Sequence, residues 1–151
     1  AALRPAFRSR LRAARVGHQP LILLDTHALV WWLNDPLRLP TRVRRVVSKR
    51  PAPGSLGISA ISLFEIATLV RRGRIQLQSS LEDWIENLRL LAELKVLPIT
   101  ADIAVRAGTL AEALPGDPAD RIIIATALDE QLRLATGDAR IRKSGLVETI
   151  W

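Results

Sequence analysis

The chain has 151 residues, the length of one domain with a full hydrophobic core. It contains no cysteine and only two histidines, which excludes disulfides, thiolate metal sites and a cysteine nucleophile and disfavours a zinc site. Any metal would therefore be held by oxygen ligands, which favours magnesium or manganese. No apolar run reaches the roughly 18 residues that span a bilayer, so we expect no membrane segment.

The formal net charge is +7, and much of it lies at the start of the chain. Residues 1–20 carry five arginines and no acid, so a charge of only +2 is left for residues 21–151. We expect residues 1–20 to form a basic arm without fixed structure and residues 21–151 to form the folded domain. Because arginine runs are usually just solvated, an arm that touches nucleic acid is the alternative rather than the first interpretation.

From residue 21 onward, short apolar runs alternate with helical patterns. LILLD, at residues 21–25, predicts a buried parallel strand, and THALVWWLN predicts the helix that follows it. Residues 41–50 predict a second helix with a cationic outer face, and LGIS predicts a second strand. Ser62 and Glu65 have the S-x-x-E spacing of a capping box, which places the start of the next helix at Ser62.

The second half of the chain continues the alternation. We expect the longest helix over residues 79–94, and another helix from Asp117-Pro118 to about Gln131. The remaining elements are a helix over residues 100–114 and strands over residues 95–99, 132–138 and 147–150. Since helices separate the strands and no hairpin signal is present, the pattern predicts a parallel sheet covered by helices on both faces.

Acidic residues recur where the predicted strands end and where helices begin. Asp25 and Asp138 close the first and fourth strands, and Glu65 and Asp120 fall near the starts of two helices. Because ligands bind outside the carboxyl ends of parallel strands, all four positions can meet at one edge of the sheet. Carboxylates held together repel one another, so such a cluster normally takes a cation. The sequence therefore predicts a metal site.

Each acid also has a purely structural interpretation. Asp25 and Glu65 could cap their helices. Asp120 could favour the helix dipole or pair with Arg121, and Asp138 could be a turn residue. These interpretations explain each acid singly but not their recurrence at one edge, so the metal site is favoured for the four together.

Four segments, in this order, carry a resemblance to a known family: LILLDTHALVWWL, ISLFEIATLV, DPADRIIIATAL and LATGDARI. They resemble the PIN domain, specifically the VapC-type toxins of bacterial toxin–antitoxin pairs, from about Leu21 to the C-terminus. The resemblance implies an α/β fold, the PIN-like three-layer α/β/α sandwich with a central parallel sheet and the first strand in its middle. It also implies an endoribonuclease that hydrolyses RNA phosphodiester bonds with a metal-activated water.

Carried over position by position, the resemblance implies four residues that are both catalytic and ligands of Mg²⁺ or Mn²⁺: Asp25, Glu65, Asp120 and Asp138. Three neighbours are expected to support these ligands by hydrogen bonding or capping: Thr26, Thr136 and Asp117. Many relatives have a histidine directly before this Asp-Pro pair. Here Pro115-Gly116 stand in its place, so nothing catalytic is assigned there.

RNA phosphates must be held near these acids, and the second helix and the segment after the fourth strand offer cations. The candidates for RNA binding are Arg42, Arg45, Lys49, Arg140, Arg142 and Lys143. A solvated helix face explains any one of them equally well. Trp31 and Trp32 point about 100° apart on a helix, so we expect one in the core and the other along a partner groove.

The resemblance further implies partners and a location. A cytoplasmic ribonuclease needs restraint, so we expect a cognate antitoxin that inhibits it and directs an arginine at the carboxylates. Its tail is expected in a groove between the helix bearing Trp31 and Trp32 and the helix starting at Ser62. We also expect a homodimer formed through residues 79–114.

Two other classes of function fit parts of the pattern. A catalytically inactive PIN-like module that binds RNA or protein has no need of the acids, yet all four are present. A haloacid-dehalogenase-like phosphatase needs Asp-x-Asp after its first strand, where this chain has Asp25-Thr26-His27. A receiver domain needs an acidic pair there and a late lysine, and the sequence offers neither set.

Overall fold

A five-stranded parallel sheet organises the computed structural model, which describes residues 21–49, 52–114 and 116–151. The basic arm expected over residues 1–20 lies outside the described residues. The strands are β1 (Ile22–Leu24), β2 (Leu56–Ser59), β3 (Leu94–Leu97), β4 (Arg133–Ala135) and β5 (Thr149–Ile150). Their order is β3-β2-β1-β4-β5, and every pair is parallel. The predicted parallel sheet with the first strand at its centre is confirmed.

Seven α-helices within the described ranges connect and cover the strands. They are α1 (Thr26–Asn34), α2 (Thr41–Ser48), α3 (Ala60–Arg71), α4 (Leu81–Arg89), α5 (Ala101–Thr109), α6 (Pro118–Glu130) and α7 (Ala139–Ser144). None of these helices combines the length and apolar character that crossing a membrane would require.

The central strand β1 shows why helices lie on both faces of the sheet. Its side chains alternate, so Ile22 and Leu24 join a core with α1, α2 and α4, whereas Leu23 joins a second core with α6 and α7. All three side chains are buried, as expected for a strand covered on both faces. The fold is thus the predicted three-layer α/β/α sandwich.

The helix predicted over residues 79–94 is shorter than the sequence pattern indicates. It begins after Ser80, whose hydroxyl accepts the Asp83 amide, and it ends at Arg89. Leu94 belongs instead to β3, which pairs with β2 along four residues. Strand pairing therefore overrides the helical periodicity, and α6, with 13 residues, is longer than α4, with nine.

The helix predicted over residues 100–114 also ends early, at Thr109. The guanidinium of Arg121 donates hydrogen bonds to the carbonyls of Ala107, Leu110 and Ala111. Those carbonyls lie at and just beyond the end of α5, where a helix leaves acceptors without intrahelical partners. A side chain from α6 thus fixes where α5 stops, which sequence periodicity within α5 does not reveal.

Candidate active site

The carboxyl ends of β1, β2 and β4 lie at one edge of the sheet, and four acids come from the segments that follow them. Asp25 follows β1 and caps α1, and Asp138 caps α7 after β4. Asp120 lies in the first turn of α6, and Glu65 lies on α3 after β2. The other three carboxylates all raise the pKa of Asp120 electrostatically, so the four predicted acids lie within electrostatic range of one another at this edge of the sheet.

Asp25 is held by two hydrogen bonds while burial works against its charge. Desolvation raises the pKa of Asp25, and hydrogen bonds from the Thr136 hydroxyl and the Ala28 amide partly offset that effect. The Ala28 amide lies 2.7 Å from Oδ1, which makes Asp25 the N-cap of α1 as well. The capping interpretation and the site interpretation of Asp25 are therefore compatible.

The Thr136 hydroxyl connects two of the acids. Its oxygen accepts the backbone amide of Asp138 at 3.1 Å, and its hydrogen bond to Asp25 lowers the pKa of that carboxyl. Thr136 is fully buried, so water does not compete for these contacts. A single hydroxyl therefore fixes the end of β1 against the loop after β4.

Thr26 plays the corresponding part for Glu65. Its hydroxyl donates to Glu65 Oε1 at 2.5 Å and lies 2.9 Å from the buried Ser62 hydroxyl. Desolvation raises the pKa of Glu65, this hydrogen bond lowers it, and Asp117 raises it further. The structure thus places Thr26, Thr136 and Asp117 beside the acids, as the sequence interpretation expects.

The capping box predicted from Ser62 and Glu65 is wrong. The helix begins at Ala60, directly after β2, because the hydroxyl of Ser59 accepts the Ile61 amide and serves as the N-cap. Ser62 is then inside the first turn with its side chain turned to Thr26, and Glu65 is in the second turn rather than the first. Glu65 therefore has no capping role to explain its position.

Asp120 lies in the first turn of α6, close to other acids. Burial, followed by repulsion from Asp117 and Glu65, raises its pKa to about 6. Asp117 caps α6 by accepting the Ala119 amide at 2.8 Å, as predicted. The alternative pairing of Asp120 with Arg121 is not found, because the Arg121 guanidinium donates to backbone carbonyls at the end of α5.

Asp138 caps α7 and lies next to a cation. It accepts the amides of Arg140 at 2.8 Å and Ile141 at 3.3 Å. The Arg140 guanidinium is 3.6 Å from Asp138 Oδ2 and largely exposed, so this ion pair neutralises the cluster only weakly. Within the described ranges, Arg140 is the one cation that the structure pairs with these acids.

The donor set has the chemistry that a divalent cation prefers, since carboxylate oxygens are hard ligands. Burial raises the pKa of Asp25, Glu65 and Asp120, and a bound cation would relieve the repulsion among them. In the part of the chain that the structure describes, no three His, Asp or Glu side chains converge closely enough to form a metal site. The acids thus share one edge without forming a closed ligand shell.

The cations predicted to bind RNA have different positions. Arg42, Arg45 and Lys49 are exposed around α2, whose buried side chains are Val43 and Val47. That arrangement matches the solvated helix face that the sequence left open.

The second group of predicted cations lies on α7. Arg140 is beside Asp138, whereas Arg142 and Lys143 are exposed in the last turn of the helix. Of the six candidates, the structure brings Arg140 alone into contact with the acids among the described residues.

A groove of about 400 Å³ is lined in part by Thr26, the hydrogen-bond partner of Glu65, and sequence reasoning identified only part of its lining. Trp31 lines it and Trp32 does not, but both are partly buried and pack against the same hydrophobic core. Two arginines on its walls, Arg38 and Arg74, were missed. The sequence feature that could have pointed to Arg74 is the preceding glycine, Gly73, because glycine commonly ends a helix. Its positive φ of 66° turns the chain at the end of α3, and Arg74 follows in the groove lining.

The chain is similar to known proteins of one family. The PIN domain family model matches residues 22–145. Ribonuclease VapC22 from Mycobacterium tuberculosis (strain ATCC 25618 / H37Rv) is 37% identical over 121 residues, which cover 80% of this chain and 89% of that protein.

Solved structures share the fold at lower sequence identity. VapBC from Salmonella typhimurium bound to DNA gives a TM-score of 0.62 at 19% identity, covering 87% of this chain and 98% of that one. VapC20 from Mycobacterium tuberculosis, described as a sarcin–ricin loop cleaving toxin, gives a TM-score of 0.60 at 20% identity. The match covers 84% of this chain and 97% of that one. Because the family model matches most of this chain, the chain belongs to the PIN domain family.

Proposed function

We propose that this chain is a VapC-like endoribonuclease that hydrolyses RNA phosphodiester bonds with the help of Mg²⁺ or Mn²⁺. The observation that carries the proposal is the position of Asp25, Glu65, Asp120 and Asp138 at one edge of the sheet. Burial and repulsion between carboxylates raise the pKa of Asp25, Glu65 and Asp120 there. A 37% identical relative that is named a ribonuclease supports the choice of RNA as substrate.

The four acids would hold the ion, and their neighbours would keep them in place. When bound, a divalent ion neutralises charge on phosphate oxygens and lowers the pKa of attacking water. Thr136 fixes Asp25 and the amide of Asp138, and Thr26 fixes one oxygen of Glu65. Asp117 sets the start of the helix that carries Asp120. Hydrogen bonds of this kind orient the ligands and favour their ionised form.

A histidine base is not part of the proposal. His27 follows Asp25 by two residues, but its ring packs edge-on against Trp31 with 6.1 Å between the ring centroids. It supplies a positive contribution that lowers the pKa of Asp25 and Glu65. We therefore assign His27 to packing against Trp31 rather than to proton transfer.

The proposal includes a protein partner. Solved structures that share this fold include VapBC complexes, which supports a cognate antitoxin that blocks the site. We further propose a homodimer and a cytoplasmic location, where RNA substrates are present. Co-expression with the neighbouring small gene, followed by purification and mass determination, tests both assemblies.

The experiment that tests the chemistry compares wild type with Asp25→Asn on bulk RNA, with Mg²⁺ or Mn²⁺ and with chelator. Cleavage should require the metal and should fall by about 100-fold or more in the variant. Asp129→Asn is the matched control, because Asp129 is exposed at the far end of α6. Equal cleavage by wild type and Asp25→Asn would contradict the proposed site.

One observation favours the inactive-module alternative, namely that the described acids do not form a closed ligand shell. A titration with Mn²⁺, monitored by thermal stability, separates the two functions. A catalytic site should gain stability as Mn²⁺ binds the folded state, by the usual linkage between binding and folding. The alternative would be supported if the protein binds RNA but does not cleave it and gains no stability from Mn²⁺.

A further inference from the structure

A groove beside the acids has a lining that the proposed chemistry does not use. We call it the tryptophan groove, and its defining residues are Thr26, His27, Trp31, Arg38, Arg74 and Gln76. One wall is the outer face of α1 and the turn after it, and the other is the end of α3 with the segment that follows. Thr26 lines the groove and its hydroxyl donates to Glu65, so the groove adjoins the acid cluster through this residue.

Arg38 has a fixed place on the first wall. Its guanidinium carbon lies 4.6 Å from the centroid of the Trp31 ring, which is the geometry of a cation–π contact. The backbone is anchored on the core side, because Leu39 is buried and its amide donates to the Pro36 carbonyl. Within the described residues the Arg38 guanidinium has no acidic partner. The Trp31 ring therefore positions the guanidinium of Arg38, while no carboxylate in the described part of the chain neutralises its positive charge.

Arg74 is positioned on the second wall by a turn. Gly73 adopts a left-handed conformation after α3, and the amide of Arg74 donates to the Leu69 carbonyl at 2.9 Å. This is the hydrogen bond that closes a Schellman-type helix end. Ile75 then packs against the hydrophobic core, so Arg74 is held between two anchored positions.

The charge of the groove contrasts with that of the acid cluster. Among the described residues that line the groove there are two arginines, one histidine and a single acid, Asp35. Guanidiniums bind phosphate oxygens through paired N–H groups, and a basic groove with an aromatic side chain is typical of single-stranded nucleic acid sites. An amphipathic helix would need a continuous apolar lining, which charged and amide side chains interrupt here.

We propose that the tryptophan groove is a subsite for single-stranded RNA, in which Arg38 and Arg74 bind backbone phosphates next to the bond that is cleaved. The inference rests on the proposed ribonuclease function and adds the path by which the strand reaches the acids. Its volume of about 400 Å³ suits a unit of the size of one nucleotide. The Trp31 ring contacts the guanidinium of Arg38 through its face and so positions it in the groove.

The test measures binding of a fluorescent single-stranded RNA in chelator, so that no cleavage occurs, over a series of salt concentrations. Arg38→Gln and Arg74→Gln should each raise Kd by about 5- to 10-fold. Each should also reduce the salt slope by about 0.7, the value for one phosphate contact on a single strand. Arg72→Gln is the matched control, because Arg72 is exposed two residues from Arg74 and does not line the groove.

Cleavage with Mn²⁺ over a range of RNA concentrations gives the second measurement. The arginine variants should raise KM while kcat stays within about 3-fold of wild type, because the acids are unchanged. If wild type binds but does not cleave RNA, and the arginine variants still weaken binding, the subsite stands and the catalytic proposal fails.

The proposal is overturned if wild type cleaves RNA and both variants match Arg72→Gln in Kd and salt slope. It is likewise overturned if both variants bind RNA as wild type does but no longer co-purify with the co-expressed product of the neighbouring small gene. That second outcome would assign the groove to protein docking. Melting curves of the three arginine variants should agree with one another, which shows that altered binding does not come from unfolding.

Discussion

Two adjoining surfaces at the same edge of the sheet have opposite electrostatics. In the acid cluster, burial and repulsion raise the pKa of Asp25, Glu65 and Asp120, and charge is held where solvent compensates it poorly. In the tryptophan groove, Arg38 and Arg74 are exposed and keep their ordinary hydration. The comparison indicates that the two surfaces bind different ligands: the acid cluster suits a small cation, and the tryptophan groove suits a polyanion.

The difference also extends to how the side chains are held. Two acids of the cluster, Asp25 and Glu65, are fixed by hydrogen bonds from the buried hydroxyls of Thr136 and Thr26. The groove arginines are fixed through an aromatic face and a helix-ending turn. Buried hydrogen bonds tolerate little change, whereas surface contacts contribute less to stability. We therefore expect larger losses from altering the cluster than from altering the groove.

The largest expected effect comes from removing a ligand. Asp120→Asn should lower metal-dependent RNA cleavage by about 100-fold or more, because the amide keeps the shape but supplies no negative charge to the ion. The same variant should lose most of the thermal stabilisation that Mn²⁺ gives to wild type. Cleavage assays and melting curves with and without Mn²⁺ measure the two effects. Near-normal values of both would remove Asp120 from the proposed site.

The next effect concerns the buried hydroxyl between two acids. Thr136→Val keeps the side-chain volume but removes the donor to Asp25 and the acceptor for the Asp138 amide. Loss of such support typically costs about 10- to 100-fold in metal affinity or activity, and we expect a value in that range. Thr136→Ser, which retains the hydroxyl, is the control and should restore most of the activity. Equal loss in both variants would point to packing rather than hydrogen bonding.

A smaller effect is expected where the C-terminal residue packs behind the site. A Cβ on Gly137 would lie 2.8 Å from a ring carbon of Trp151, and that ring lies 5.8 Å from Trp31 between centroids. Gly137→Ala should therefore destabilise the fold by about 1–3 kcal/mol, the usual cost of overpacking. Chemical denaturation measures it, with Gly108→Ala as the control because nothing lies near its Cβ position. A neutral Gly137→Ala would show that Trp151 moves aside without cost.

The two surfaces differ in how well the sequence predicts them. Asp25 and Asp138 follow apolar strands directly, so the parallel sheet brings them together by rules that are visible in the sequence. The cap at Asp117 was predicted from the Asp-Pro pair that starts a helix, and the central place of β1 followed from the family resemblance. The tryptophan groove depends on how α1 packs beside the end of α3, about 40 residues later, and no local pattern encodes that contact.

Errors in the predicted helices have the same origin. Ser62 matched a capping spacing, yet its hydroxyl contacts Thr26 on another helix. The early end of α5 depends on Arg121 from α6, and the early end of α4 depends on pairing of β3 with β2. In each case a tertiary contact overrides a local preference, which carries only a fraction of a kcal/mol per residue.

The smallest expected effect is a pH-dependent stability difference without metal. Asp120 has a folded-state pKa of about 6, raised by burial and by the charges of Asp117, Glu65, Asp138 and Asp25. The folded protein therefore holds this proton more tightly than the unfolded chain, and stability falls as pH rises from about 4 to about 6. Because Asp120 is half-buried and solvent screens its charge, we expect a loss of about 1 kcal/mol at neutral pH.

Asp120→Asn cannot ionise, so in chelator it should melt about 3 °C above wild type at pH 7 and close to wild type at pH 4. The exposed Asp129→Asn should follow wild type at both pH values. Mn²⁺ at pH 7 should reverse the order, because it stabilises the protein that retains all four carboxylates. If Asp120→Asn melts below wild type at pH 7 in chelator, the Asp120 carboxylate stabilises the fold. The strained, cation-seeking character assigned to the acid cluster would then be wrong.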